Sequence, residues 1–164
     1  MRIKPWHVLV LAGALLSAGA VSAGAAGGPR ADTVEVVAKR TLMSASANPA
    51  VGSGFVAGGD LLDEQGRAKV GEGFSHCGVV SVSLTVPPAV TAHCTSVFRL
   101  KDGELHLSGL RTYKALATGF DDTALAVVGG TGAYANARGD GKVTRTSGHA
   151  ADVSYRFTFT VVTD

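Results

Sequence analysis

The sequence predicts an all-β domain, an eight-stranded antiparallel β-barrel, with a β-sandwich as the alternative. Three observations predict it. From residue 33 onward, β-branched and aromatic runs alternate with turn chemistry, and helical periodicity is absent between them. Val153, Tyr155, Phe157, Phe159 and Val161 alternate with Ser154, Arg156, Thr158 and Thr160, the period of a half-buried strand. Asp102-Gly103 sits between two such runs as a type I′ hairpin turn. Strands with no helix to cover them must pack as two sheets or close on themselves. Closure removes the edges, and eight strands leave a barrel just wide enough for one small ligand.

The chain begins with a different signature. Arg2 and Lys4 form a positive region, Val8 to Val21 an apolar one, and Val21-Ser22-Ala23 a small-residue cleavage site. Residues 1–26 are therefore expected to be a secretory signal peptide and leader, and 27–164 a single domain. A membrane anchor is the competing reading, but about 14 apolar residues are too few to span a bilayer comfortably. The protein is expected to be secreted, with no membrane contact once the signal is removed. Lys and Arg number 15 against 13 Asp and Glu, and the excess is Arg2 and Lys4. A neutral mature domain exerts no long-range pull on phosphate backbones, which argues against nucleic acid as a partner.

Strands are predicted near 33–43, 54–62, 67–82, 89–101, 104–113, 123–128, 140–147 and 151–162. Turning the chain over Asp63–Gly66 sets Leu62 opposite Arg67 and Asp60 opposite Lys69. A loop over Ser83–Pro88 sets Val82 opposite Ala89 and hence Cys77 opposite Cys94. Folding about Asp102-Gly103 pairs Leu100 with Leu105 and Phe98 with Leu107 on an apolar face, and Lys101 with Glu104 and Arg99 with His106 on a charged one. Periodicity alone does not say which face lines the barrel.

The adjacent pairs His76-Cys77 and His93-Cys94 raise the question of a metal site. Neighbouring residues on a strand point to opposite faces, so two histidines and two sulfurs cannot converge on one ion. In a secreted domain, the paired register favours a Cys77–Cys94 cross-strand disulfide over free thiols or a metal.

Residues 130–135, Gly-Thr-Gly-Ala-Tyr-Ala, match the G-x-G-x-x-A form of the dinucleotide fingerprint, with Asp152 about 20 residues on. That motif needs a helix after its glycines and a crossover to a parallel strand. Gly139 and Gly141 break any such helix, and the remaining residues read as two strands. A phosphate loop fails as well, since Gly141-Lys142 is followed by Val143. The glycines are better explained as a tight strand-to-strand connection with positive φ values. No cofactor is expected.

The stretch "AVVGGTGAYANARGDGKV" is similar to the G-G-T-G-x-[FY]-x-x-A-R-G signature of the allene oxide cyclase and dirigent superfamily. "GDLLDEQGRAKVGEGFSHCGVV" resembles the early Asp-x-x-Leu and V-G-x-x-G segment of the same superfamily. The likeness covers roughly residues 33–162 and looks closest to a secreted bacterial branch, in which two cysteines flank a hairpin. It implies an eight-stranded antiparallel barrel, often a homotrimer, with an apolar cavity. It also implies cofactor-free and metal-free steering of a reactive small molecule through cyclisation, isomerisation or coupling. Dirigent proteins usually carry Arg directly after the motif's aromatic residue, where this chain has Ala135. Arg138 of the A-R-G element matches, and Asp60 falls where the Asp-x-x-Leu acid falls.

The resemblance makes Asp60 and Arg138 the catalytic candidates. The residues themselves favour Asp60 as one half of a surface ion pair with Lys69, and Arg138 as a hydrogen-bonding hub tying the glycine-rich connection to a neighbouring strand. Tyr134 and Tyr155 read as core aromatics rather than proton donors. His106 and His149 read as exposed. Phe98, Leu105, Leu107, Tyr155, Phe157 and Phe159 are the expected lining of a ligand cavity. Gly71, Gly73 and Ser75 share the face of Phe98, so the wall there is small, and Gly73 marks unfilled volume for an apolar ligand. Two functions remain: a cyclase, isomerase or dirigent-type guide for an apolar small molecule, or a non-catalytic secreted ligand-binding or structural surface protein.

Overall fold

The structure is a computed structural model that describes residues 30–147 and 152–163. The expected leader over 1–26 and His149 lie outside the described residues. Nine strands follow one another: β1 (Arg30–Ser44), β2 (Gly54–Leu62), β3 (Lys69–Val82), β4 (Val90–Leu100), β5 (Gly103–Ala115), β6 (Gly119–Phe120), β7 (Thr123–Gly130), β8 (Arg138–Ser147) and β9 (Ser154–Thr163). All pairings are antiparallel. Strands β1 to β5 pair in sequence, β5 pairs with β7, β7 with β8, and β8 with β9. β9 returns to β1 with Val36 opposite Phe157, which closes an eight-stranded barrel. The dipeptide β6 only extends the end of β5.

The barrel is filled by the apolar face that the sequence alternation marks. Phe98, Leu105, Leu107, Phe157 and Phe159 are all buried. Phe98 meets Phe157 edge-on, with centroids 4.9 Å apart, and Phe157 lies 5.8 Å from Phe159. Cys77 stands opposite Cys94, and the two form a disulfide, fully buried inside the barrel. His76 and His93 lie on the outer face, where His93 Nε2 is 3.0 Å from Ser108 Oγ. With both sulfurs engaged, the His-Cys pairs have no thiolate to offer a metal.

All three hairpins that the sequence sets out differ in register. Val82 faces Val90 rather than Ala89, and an irregularity between Val79 and Ser81 brings Cys77 back opposite Cys94. Leu100 faces Gly103 and Phe98 faces Leu105, so Lys101-Asp102 form the turn and Gly103 opens β5. The reason lies in another connection. Gly103 has φ +150°, and a Cβ there would sit 2.1 Å from the Thr131 carbonyl oxygen, so the glycine serves a close approach rather than a turn type. Between β2 and β3 the turn runs longer than Asp63–Gly66, because the Asp63 carboxylate accepts hydrogen bonds from the Arg67 and Ala68 amides at 2.8 and 3.2 Å. Leu62 therefore faces Lys69, and an irregularity next to it sets Asp60 opposite Glu72.

The Gly130–Ala135 segment is a short connection between β7 and β8, as its glycines suggest, and it docks on the tip of the β4–β5 hairpin. Thr131 N donates to Glu104 O at 2.9 Å and Ala133 N to Asp102 O at 2.8 Å. Gly132 has φ +60°, and a Cβ there would lie 2.4 Å from Asp102 O. The motif is thus a backbone-to-backbone weld between two neighbouring hairpins.

Candidate ligand-binding site

The connections β1–β2, β3–β4 and β5–β6 gather at one end of the barrel, and β2–β3, β4–β5 and β7–β8 at the other. At the first end lies a cleft of about 680 Å³, lined among others by Arg40, Met43, Val82, Val90, Lys114 and Leu116. Prolines 49, 87 and 88 stiffen its rim. Its size falls in the range of small-molecule sites. Arg40 holds one side in place: it donates through Nη2 to Ala117 O at 2.6 Å and through Nη1 to Leu116 O at 3.3 Å.

The same end of the barrel interior holds a layer of aromatic rings. Phe120 stacks on Tyr155 with centroids 3.9 Å apart and planes 7° from parallel. Tyr113 stands edge-on to both Phe55 and Phe120, at 5.5 and 5.7 Å. The Tyr155 hydroxyl accepts from Phe120 N at 2.6 Å and lies 3.1 Å from Phe120 O, so one phenol holds β6 across the barrel. Beside these rings is an inner hollow of about 70 Å³ whose walls include Leu61, Gly73, Phe98, Arg111, Tyr155 and Phe157. Arg40 forms part of the wall of both spaces.

Arg111 is the feature that sequence reasoning missed. It lies on β5 four residues from Ala115 of the cleft wall, about 13 Å deeper along the strand. Only 4% of it is exposed, and it is the one buried charged side chain among the described residues. Nη1 donates to Ser75 Oγ at 3.1 Å and Nη2 to Ser96 Oγ at 2.6 Å, while the two hydroxyls lie 2.8 Å from each other. The guanidinium carbon sits 4.9 Å above the Phe120 ring, a cation–π contact. Nε has no hydrogen-bond partner. Burial pushes the guanidinium below its ordinary pKa, with Tyr113 beside it opposing the shift. Because arginine starts from so high a value, the group stays charged. A signal for it existed: Arg111 shares strand parity with Leu105, Leu107 and Tyr113, all inward-facing.

Both inner tyrosines resist ionisation. Burial raises the pKa of Tyr113, and burial raises that of Tyr155 to about 12 from 10.0. The raised folded-state value means that Tyr155 contributes stability that is fully present below about pH 10 and lost as pH rises toward 12. Denaturant melts between these pH values are expected to show falling stability. Tyr155→Phe should flatten that fall while lowering stability at neutral pH through loss of the Phe120 bonds. An unchanged alkaline slope in the variant would contradict this account.

The predicted site residues divide by location. Gly73, Phe98, Tyr155 and Phe157 line the inner hollow, whereas Leu105, Leu107 and Phe159 belong to solid core and are not among its walls. The small wall leaves a hollow of only about 70 Å³. A Cβ on Gly73 would meet the Phe98 ring at 3.1 Å, so the cross-strand phenylalanine packs against the glycine. Most of the open volume lies in the end cleft instead. Asp60 alternates with inward-facing Leu61, lies on the outer surface, and forms an ion pair with Lys69 at 2.7 Å. Asp60 and Glu72 together hold the Lys69 ammonium's pKa at about 12. Arg138 is exposed at the end of the barrel opposite the cleft. It donates to Asn136 O and Ala137 O at 3.0 and 2.8 Å, so it braces its own connection rather than a neighbouring strand. The two catalytic candidates thus lie apart from each other and from the hollow. Tyr134 is half-buried, its pKa raised mainly by burial, and His106 is partly exposed beside Glu104.

With this geometry in view, the comparisons with known proteins are informative. The model of a family described as allene oxide cyclase barrel-like domain matches residues 33–154. No curated protein matches the sequence. Among solved structures, a pyocyanin demethylase is 22% identical with a TM-score of 0.59, covering 78% of this chain and 99% of its own. A pterocarpan synthase dirigent protein is 17% identical with a TM-score of 0.57, covering 83% and 86%. A Diels–Alderase from Streptomyces koyangensis is 15% identical with a TM-score of 0.57, covering 85% and 72%. At these identities the likeness is one of fold.

Proposed function

The chain belongs to the allene oxide cyclase barrel-like domain family, and on that premise we propose that it takes an apolar, unsaturated small molecule through its end cleft and steers its cyclisation, isomerisation or coupling. The observation that carries the reading is the cleft of about 680 Å³ at the same end of the barrel as an aromatic layer with one polar cluster beside it. The cleft walls, among them Met43, Val82, Val90 and Leu116, hold an unsaturated skeleton in one folded pose, which is how a barrel with no interior acid–base pair among its described residues accelerates a ring closure. Fixed donors around Arg111 stabilise charge that develops on an oxygen. That a dirigent protein and a Diels–Alderase share the fold supports the reading.

In this reading the protein works outside the cytoplasm. The order of positive, apolar and small residues before Gly24 supports export, as does the Cys77–Cys94 bridge. Self-association as a homotrimer is supported by an apolar strip on the outer face, where Leu42, Gly58 and Phe74 adjoin across β1, β2 and β3 and Leu42 and Phe74 are about half exposed.

The test is to extract the protein purified from culture medium and identify what leaves with it by mass spectrometry. An apolar molecule is expected with the wild type and with Asp60→Asn, since that carboxylate lies outside the barrel. Ala47→Trp, which crowds the cleft from a loop, should lose it. Equal recovery from Ala47→Trp and wild type would remove the cleft from the reading. Recovery of a molecule that the protein returns unchanged from every turnover assay would favour a non-catalytic carrier.

A further inference from the structure

Arg111 is an anomaly for a protein interior. A guanidinium taken out of water needs an anion, and one left without it is among the costliest of buried groups. Among the described residues no carboxylate is buried. The partners present are two serine hydroxyls, the Tyr113 phenol and the face of Phe120. The serines do not require the arginine, because each already lies within hydrogen-bonding distance of the other. An apolar side chain of similar volume would fill the space without the desolvation cost.

The remaining capacity of the group is directional. Of its five N–H donors, Nε–H has no partner, and it lies on the edge from which arginine grips a carboxylate through two parallel hydrogen bonds. The adjoining hollow, about 70 Å³, holds roughly two water molecules. A carboxylate head is of that size. Around the head the walls turn apolar and aromatic, with Leu61, Phe98, Phe120 and Phe157 among them. Arg40 lines both this hollow and the end cleft.

We propose that Arg111 is the anchor for the carboxylate of a flat, unsaturated organic acid, which enters head first and leaves its reactive tail among the rings and in the cleft. This rests on the ligand-binding reading above and adds to it the ligand's charge and direction. The positive centre then has two effects. It selects acids over their neutral analogues, and it fixes the register of the tail against Phe120 and Tyr155, so that one end of the substrate is immobile while the other folds.

The test uses formate, trans-cinnamate and the neutral cinnamamide as probes on the mature, disulfide-bonded protein with ¹⁵N-labelled arginine. Formate and cinnamate are expected to shift the Arg111 Nε–H resonance saturably and to slow its exchange with water, and cinnamate should bind at least tenfold more tightly than cinnamamide. In Arg111→Met that preference should vanish, while the melting temperature stays at or above that of the wild type. A merely structural arginine predicts the opposite, a lower melting temperature and no selectivity to lose. Absence of any Nε–H response to formate and cinnamate, or equal affinity for cinnamate and cinnamamide in the wild type, would overturn the anchor even if Arg111→Met failed to fold. The two readings fail separately: a neutral molecule recovered from the wild type but not from Ala47→Trp leaves the cleft standing and removes the carboxylate anchor.

Discussion

Replacing Phe159 by alanine is expected to destabilise the barrel by about 3 to 5 kcal/mol, the cost of deleting a large ring from a core that cannot collapse around the gap. Phe159 is fully buried on β9, with centroids 6.1 Å from Phe98 and 5.8 Å from Phe157. Across the ladder it faces Gly141, and a Cβ built on that glycine would lie 2.0 Å from the Phe159 ring. The two positions therefore share one volume, which gives the prediction a sharper form. Gly141→Ala in the wild type should destabilise by about 1 to 3 kcal/mol through overpacking. In the Phe159→Ala background the same change should be neutral or favourable, since the added methyl enters the vacated space. A double-mutant cycle by denaturant unfolding measures this coupling. Simple additivity of the two changes would show that the ring does not lie over the glycine.

Reducing the Cys77–Cys94 bridge should cost about 3 kcal/mol on the loop-entropy account, because the bond joins residues 17 apart in sequence. For a domain of this size, that corresponds to a fall in melting temperature of about 6 to 12 °C. Cys77→Ala with Cys94→Ala should fall at least as far, since both sulfurs are fully buried and their removal also empties core volume. Reduction without mutation isolates the cross-link from the packing. The β3–β4 hairpin retains its ladder in either case, so the reduced protein should remain a folded barrel with unchanged far-ultraviolet circular dichroism at room temperature. Identical melting of the oxidised and reduced proteins would mean that the bridge adds nothing to an already closed sheet.

Much of this architecture was legible in the amino-acid order. Strand alternation follows from local sterics and from the need to put one face in water, so Val153 to Val161 announces β9 and its inward residues without any tertiary information. The cysteine pairing was legible in its outcome, although the register behind it was one residue off at Val82 and an irregularity between Val79 and Ser81 restores it. So was the strand-to-strand nature of the glycine-rich connection, since Gly139 and Gly141 disfavour a helix after it. The outer placement of Asp60 was legible too, as it alternates with Leu61. It was obscured because a resemblance to a motif says which residue type recurs and nothing about the side of the sheet it occupies.

What only the tertiary structure decided are the matters that depend on several strands at once. Gly103 reads as a turn residue, yet it stands in the strand because the Thr131 carbonyl, 28 residues away in sequence, leaves no room for a side chain. Gly73 reads as an empty wall, yet the Phe98 ring on the next strand packs against it and leaves only the small inner hollow. Arg111 is a charge at an inward position, and a single strand cannot say whether such a side chain reaches the rim and water or stays inside. That outcome depends on Ser75 of β3, Ser96 of β4 and Phe120 of β6 meeting around it. Periodicity assigns a face, because a strand's geometry is local. The solvation of what lies on that face is collective, and only barrel closure settles it.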